Sequence, residues 1–340
     1  MNNQSAPLIS VSVVTYNHVN YIKQCLEGIL MQKTTFPFEI ILGEDESTDG
    51  TRAICEEYAE RFPNIIRLFL RSRKDVIKIN GNATGRFNFM ENLKACQGKY
   101  IATCEGDDYW IDPLKLQKQV DLLESDKDMI ACHHWQKIAV EENGIFIEKL
   151  SPKDGYHPQS ISTVQDIFNN KMRVKMRTLM FKNIIDINFI PDWFSQVAFG
   201  DVPISMLLGK HGYFGFIDEK MAVYRQTKKG VSTSGLKELG RKKFNEQHFK
   251  NWIQIWDLGN IEYNYQYQSE VDKTIEEFYI RILKLTSVSL KTYIRLISYN
   301  IFERKVGFLK TYKQTLLITY AFIKTFFKKA KNKVQKMLEI

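Results

Sequence analysis

The sequence predicts an α/β fold, a mostly parallel sheet with helices on both faces, continued by a helical C-terminal extension. Three observations predict it. Short β-branched apolar runs alternate with segments whose apolar residues recur at helical spacing. Two of the runs end in acidic loops, and the last hundred residues lose the strand pattern and become rich in aromatic residues and Lys.

The run Leu8 to Thr15 is apolar and β-branched along most of its length, as a strand buried on both faces requires. Tyr16, Asn17 and His18 break it. From Asn20 onward Ile22, Cys25, Leu26, Ile29 and Leu30 define one face of an amphipathic helix, which the stretch Thr34 to Pro37 ends. A second apolar run, Phe38 to Leu42, stops at the acidic loop Gly43 to Gly50 and completes a strand–helix–strand unit.

The alternation continues with a helix over 50–61, a strand at Ile65–Leu70, a Gly/Asn loop at 80–85 and a helix over 86–97. Then come the strand Tyr100–Cys104, a second acidic loop, a helix over 113–125 and the strand Met129–Trp135. In such sheets ligands bind beyond the carboxyl ends of the strands, so the loops after residues 15, 42 and 104 are expected on one rim. Past 140 the rhythm weakens: a polar loop at 151–160, a strand near Leu179–Phe181, a helix over 201–210, and helices from 241. The expected division is 1–235 for the α/β domain and 236–340 for the helical region.

The 340 residues are 44% hydrophobic, 26% charged and 13% aromatic, which excludes a disordered chain, a collagen and a disulfide-stapled miniprotein. The net charge is +9, but residues 301–340 hold ten Lys/Arg against two acids, so the rest is nearly neutral. A general nucleic-acid surface on the body loses its support. The five cysteines form no CxxC pair and read as reduced core residues. No basic and apolar leader opens the chain, and no apolar run reaches the roughly 18–20 residues of a membrane span, so a cytoplasmic location is expected.

The chemistry concentrates in Glu105-Gly106-Asp107-Asp108 at the end of a strand. Three carboxylates within four residues repel one another unless a cation or ligand compensates. Hard cations such as Mg²⁺ or Mn²⁺ take oxygen ligands and keep positions open for phosphates, so the cluster suits a metal-bridged diphosphate. A solvated acidic loop is the plainer reading. The second acidic loop, Glu44-Asp45, follows another buried strand and shifts the balance, while Ser47, Thr48 and Asp49 read as ordinary helix caps.

Taken in order and spacing, Val11 to Asn17, then Glu44 to Thr51, then Glu105 to Asp108 with Pro113 five residues on, resemble the family 2 glycosyltransferases of the GT-A, Rossmann-like fold. The resemblance covers roughly residues 7–230. It implies a nucleotide-diphospho-sugar donor, with UDP as the first expectation, and Mn²⁺ or Mg²⁺. By the same resemblance Thr15, Tyr16 and Asn17 bind the donor nucleotide, with Tyr16 stacked on the base, and Asp45 hydrogen-bonds that base. Asp107 and Asp108 match the pair that holds ribose and metal, and Glu105 stands where the family more often has Asp.

Asp201, opening the predicted helix at 201, resembles the family's general base for inverting transfer; a helix cap is the alternative. Arg225, in Met221 to Arg225, resembles a basic residue that faces the donor diphosphate, with a structural Arg as the alternative. The QxxRW signature of processive synthases is absent from the sequence. His133 and His134 end a strand and are read as structural, and Tyr156 and His157 as a surface loop that could line an acceptor cleft.

Residues 308–338 interleave Tyr312, Leu316, Tyr320, Ile323, Phe326 and Phe327 with Lys, the pattern of a basic amphipathic helix. Such a helix fits the surface of an anionic bilayer or packs as an ordinary helix with a solvated Lys face. The first reading makes the protein peripheral on the cytoplasmic face of the inner membrane and suits a saccharide or lipid-linked saccharide acceptor in surface-polysaccharide synthesis. The rival function is a non-catalytic nucleotide- or glycan-binding module recruited by its tail. A sugar-1-phosphate nucleotidyltransferase is disfavoured because Thr15-Tyr16-Asn17 stands where a basic Gly-rich loop would be.

Overall fold

The computed structural model describes residues 6–149, 159–184, 189–227, 231–286, 290–303 and 308–338. The strands are β1 (Ile9–Thr15), β2 (Phe38–Glu44), β3 (Ile66–Leu70), β4 (Lys78–Ile79), β5 (Asn82–Ala83) and β6 (Tyr100–Glu105), then β7 (Tyr109–Trp110), β8 (Met129–Glu142), β9 (Ile145–Lys149), β10 (Ile161–Ser162), β11 (Met180–Lys182) and β12 (Tyr213–Gln226). The helices are α1 (Ile22–Leu30), α2 (Thr51–Arg61), α3 (Arg86–Ala95), α4 (Lys115–Ser125), α5 (Val164–Phe168) and α6 (Asp201–Leu208), then α7 (Val231–Glu262), α8 (Gln268–Thr286), α9 (Leu290–Ser298) and α10 (Phe308–Leu338).

The chain divides into two compact units, Met1–Ile167 with Lys171–Lys228, and Phe168–Asn170 with Lys229–Ile340. The first unit is built on one sheet in the order β10-β12-β8-β11-β6-β1-β2-β3, with β7 paired to β12 and β9 to β8. The neighbours β3, β2, β1 and β6 run parallel, as the alternating sequence predicts, while β11 enters antiparallel between β6 and β8. The core under these strands is Ile9, Val11, Val13, Ile40, Leu42 and Ala102 packed against Ile22, Leu26 and Ile29 of α1. Cys25, Cys55, Cys104 and Cys132 are buried free thiols within it.

Two strands exceed the sequence expectation. β8 runs on to Glu142, past Trp135, and β12 supplies a long parallel partner for it. The polar stretch Asp218-Glu219-Lys220 breaks the apolar alternation of β12, and the register with β8 shifts at that point. A strand whose pattern is interrupted and whose partner lies some eighty residues away leaves little local signal.

Register decides where the rim lies. Thr15 pairs with Glu44 and Val14 with Glu105, so the three loops leave the sheet side by side. From α3, Asn92 donates its amide to the carbonyls of Val13 (2.9 Å) and Ile41 (3.1 Å), and Asn88 donates to Gly43 (2.8 Å). A Cβ at Gly43 would lie 2.0 Å from the Asn88 side-chain oxygen, so only glycine lets this clasp close.

The second unit is helical. Trp252, Trp256, Phe278 and Tyr279 are buried between α7 and α8, and Trp256 Nε1 donates to the Phe168 carbonyl at 2.9 Å. Gly240 takes φ +70°, outside helical geometry, and divides α7 into two helices. No helix among the described residues is long and apolar enough to cross a membrane.

Candidate active site

The β1 and β2 loops are fastened to each other by their polar residues. Asn17, at φ +54°, accepts at its side-chain oxygen from the Thr48 amide (2.9 Å) and donates its own backbone amide to Ser47 (2.9 Å). Val19 donates to Asp49 (3.1 Å), which also accepts from the Thr51 amide at the start of α2 (3.0 Å). Glu44 is fully buried and takes Arg52 Nε at 2.5 Å, a structural ion pair. The side chains of Asn17, Ser47 and Asp49 are thus spent on loop shape, while Asp45 is buried beside the partly exposed Tyr16.

Those two meet through a residue that the sequence does not mark. The guanidinium of Arg73 lies 3.8 Å from the centre of the Tyr16 ring, and its Nη1 is 2.7 Å from Asp45 Oδ2. Arg73 opens a short 3-10 turn after β3, held by its backbone amide donating to Glu46 at 2.6 Å. Burial raises the Asp45 carboxyl above its usual range, and Arg73 opposes the rise. An aromatic face, a planar cation and a carboxylate in contact form a surface suited to a heterocyclic base.

Glu105, Gly106, Asp107 and Asp108 turn beside this surface. Gly106 passes so close to the β1 loop that a Cβ would sit 2.6 Å from Thr15 Oγ1 and 2.9 Å from His18 Nδ1. Thr15 therefore packs against the acidic loop, its hydroxyl 3.2 Å from His18 Nδ1. The three carboxylates have separate fates. Asp108 is fully buried: Oδ2 accepts from Arg177 Nε and Oδ1 from the Arg225 amide at 2.8 Å. Its burial pushes the carboxyl up, and Arg177 pulls it back.

Glu105 accepts from Arg177 Nη2 at 3.0 Å. Desolvation raises its carboxyl, Arg177 opposes this, and the charges of Asp107 and Asp201 add to the rise. Asp107 keeps its carboxylate open, with His18 Nε2 at 4.0 Å. Arg177 is wedged between these groups, stacked 4.2 Å from the Tyr224 ring centre and donating to Gln136 at 2.9 Å. Its carbonyl accepts from the buried Trp110 indole at 3.0 Å.

Arg225 works from the backbone side of the same loop. Its Nη1 donates to the Asp107 carbonyl at 2.7 Å, Nη2 donates to Gln24, and the guanidinium stacks 4.2 Å from the Tyr109 ring centre. In this geometry it fixes the acidic turn. Asp201 is the first residue of α6, and one carboxylate oxygen accepts from the Val202 amide at 3.0 Å, as a capping residue does, while the other lies 3.6 Å from Lys175 Nζ. Behind it Arg86, buried and stacked 4.2 Å from the Phe194 ring centre, donates to the Val197 carbonyl at 3.0 Å. Burial pushes Arg86 down to about 10, and the Asp201 charge acts against that.

A divalent cation is tested by the oxygens left over. Both Asp108 oxygens are already used, whereas Asp107 and the second oxygen of Glu105 remain. No group of three or more His, Cys, Asp or Glu among the described residues could hold a metal alone. One or two carboxylates fit Mg²⁺ or Mn²⁺ when phosphate oxygens and water complete the shell. His133 and His134 are buried, with burial pushing His133 down to about 3, and His134 Nδ1 lies 2.7 Å from the Trp135 carbonyl. Tyr156 and His157 lie outside the described residues. Arg73, Lys175 and Arg177 are absent from the sequence-derived set, because a basic residue in a short polar or mixed segment announces no partner.

The family profile described as Glycosyl transferase family 2 matches residues 10–186. An uncharacterised protein of Mycobacterium tuberculosis is 33% identical over 247 residues, which span 70% of this chain and 64% of the relative. Among solved structures, residues 1–349 of S. aureus TarS, in complex with UDP-GlcNAc, align with TM-score 0.54 and 17% identity, covering 93% of this chain and 81% of that one. The mannosyltransferase PcManGT from Pyrobaculum calidifontis, in complex with GDP-Man and Mn²⁺, aligns with TM-score 0.51 and 14% identity over 96% of this chain and 89% of that one. At such identities the two structures bear on the fold.

Proposed function

This chain belongs to glycosyl transferase family 2, and we propose that it moves a sugar from a nucleotide-diphospho-sugar to a saccharide hydroxyl with inversion at the anomeric carbon. The acceptor is a saccharide or lipid-linked saccharide of cell-surface polysaccharide synthesis, and the donor a UDP-sugar. The observation that carries the reading is convergence on one rim: Tyr16, Arg73 and Asp45 in mutual contact beside the strand-end carboxylates of Glu105 and Asp107, the latter left open.

In this reading Tyr16 and Asp45 hold the nucleoside. Asp107, with the free oxygen of Glu105, holds Mn²⁺ or Mg²⁺, which when bound neutralises the donor diphosphate. Arg225 and Arg177 keep the acidic turn in shape, since an unfastened cluster of carboxylates would splay apart. The Asp201 carboxylate takes the proton from the acceptor hydroxyl as its oxygen bonds to the anomeric carbon. The bond to the diphosphate breaks on the opposite side, and its electron pair leaves with the nucleotide. Lys175, 3.6 Å from Asp201, holds that carboxylate in place.

The test is thermal stability of the purified chain against UDP, GDP, ADP and CMP, each with and without Mn²⁺. A ligand at 100 times its dissociation constant adds about 2.7 kcal/mol, a readable rise in melting temperature. The expected result is stabilisation by one nucleoside diphosphate, stronger with metal and lost in Asp107→Asn. No shift with any nucleotide under either condition would overturn the reading.

A further inference from the structure

The aromatic and Lys-rich helix α10 faces the opposite way from an ordinary packed helix. Its buried positions are Gln314, Ile318, Ala321 and Thr325, spaced four, three and four residues apart, on the side of the helix that packs against α8 and α9. That face is largely small or polar. Gln314 is fully buried, and neither its side-chain oxygen nor its nitrogen has a hydrogen-bond partner among the described residues. Phe322 packs on the Tyr293 ring of α9 at 4.8 Å, but six large apolar side chains point outward: Tyr312 is 61% exposed, Leu316 52%, Tyr320 55%, Ile323 46%, Phe326 50% and Phe327 66%.

Positions 312, 316, 320, 323 and 327 follow one another by four, four, three and four, a continuous stripe on the side opposite the packing face. Scattered exposed apolar residues are ordinary; an unbroken stripe of aromatic and aliphatic residues on the outer side of a helix marks a surface that is covered in use. Its chemistry says by what. Lys324 and Lys331 are exposed along one flank of the stripe, Lys328 and Lys329 are exposed farther round the last turns, and no Asp or Glu occurs from 304 to 338. A second copy docking by the same face would bring lysines against lysines, with only Glu276 of α8, 4.0 Å from Lys324, as an acid beside them. Anionic headgroups answer the lysines while the stripe enters the acyl boundary, where Tyr rings are at home and Lys stems reach outward.

We propose that the outer face of α10 is a docking surface for an anionic lipid bilayer, with the Tyr312–Phe327 stripe inserted and the flanking lysines on the headgroups. This holds whatever sugar the first unit handles, so it stands or falls separately from the reaction.

The test is co-sedimentation of the full chain with vesicles of phosphatidylcholine alone and vesicles in which phosphatidylglycerol replaces part of it, at low and high salt. Binding is expected to the anionic vesicles only and to weaken with salt. Phe326→Ser with Phe327→Ser, and separately Lys328→Glu with Lys331→Glu, should each lower it by at least about tenfold. Both variants should keep the wild-type melting temperature. Equal binding to both vesicle types, or to neither, overturns the proposal, and that readout needs only the wild-type chain. A concentration-dependent dimer abolished by the Phe pair, without vesicle binding, would assign the stripe to self-association instead.

Discussion

Arg177 Nε donates to Asp108 inside the protein, where Asp108 is fully buried. Removing one partner of such a pair strands the other charge in a poor solvent, which costs about 3–5 kcal/mol. Arg177→Met should therefore lower stability by that order in urea denaturation, and Arg177→Met combined with Asp108→Asn should recover a large part. A single-variant loss below about 1 kcal/mol would show that the pair is not buried in solution.

Tyr16 offers its ring and Arg73 covers it. Stacking of a base on an aromatic ring is worth about 1–3 kcal/mol, so Tyr16→Ala should weaken nucleotide binding at least about fivefold. Arg73→Ala should weaken it too, by freeing Asp45. Calorimetric titration with the nucleotide that stabilises the wild type decides it; unchanged affinity in both variants would place the base elsewhere.

Asp201→Asn keeps shape and removes the proton acceptor. Loss of general-base catalysis is worth about 10²–10⁴ in turnover, whereas nucleotide affinity should stay within about twofold. Sugar transfer measured alongside binding separates the two. An Asn variant that retains a tenth of wild-type turnover has no need of Asp201 as a base.

Lys115 is fully buried, its Nζ 2.6 Å from Gln119 Oε1 and 3.8 Å from the Trp110 ring centre, and burial pushes it down to about 7. The unfolded chain holds this proton up to about pH 10.4. Between these values the unfolded state binds more protons, so this residue's contribution makes stability rise with pH from about 7 to 10. Below pH 7 the penalty is fully present. Lys115→Met should raise stability at neutral pH and flatten the slope, with the wild-type-minus-variant difference changing by an order of 3 kcal/mol across the window. Denaturation of both proteins at pH 7, 8.5 and 10 checks it; parallel curves would refute the account.

Much of the rim was legible because its signals are local. A β-branched run such as Leu8–Thr15 can bury both faces only in a covered parallel sheet, and parallel strands end on a common edge. Tyr16, Asp45 and Glu105 to Asp108 sit where such runs stop, which is why their positions could be read before the structure. Asn17 was legible as a place, yet its side chain ties two loops together. Arg225 was read toward the diphosphate, and here it fastens the turn of Asp107.

What the sequence determined by itself is therefore periodic and adjacent: the succession of strands and helices in the first 135 residues, the carboxylates at strand ends, and a C-terminal helix with one apolar and one basic character. Tertiary structure decided which carboxylate is spent and which is open, because Arg177 reaches Asp108 across sixty-nine residues of chain. It likewise decided that α10 turns Gln314 and Thr325 inward and Phe327 outward. Periodicity sorts residues onto faces, but the neighbour that covers a face, or the charge that reaches a buried carboxylate, arrives from distant chain and exists only once the chain has closed on itself.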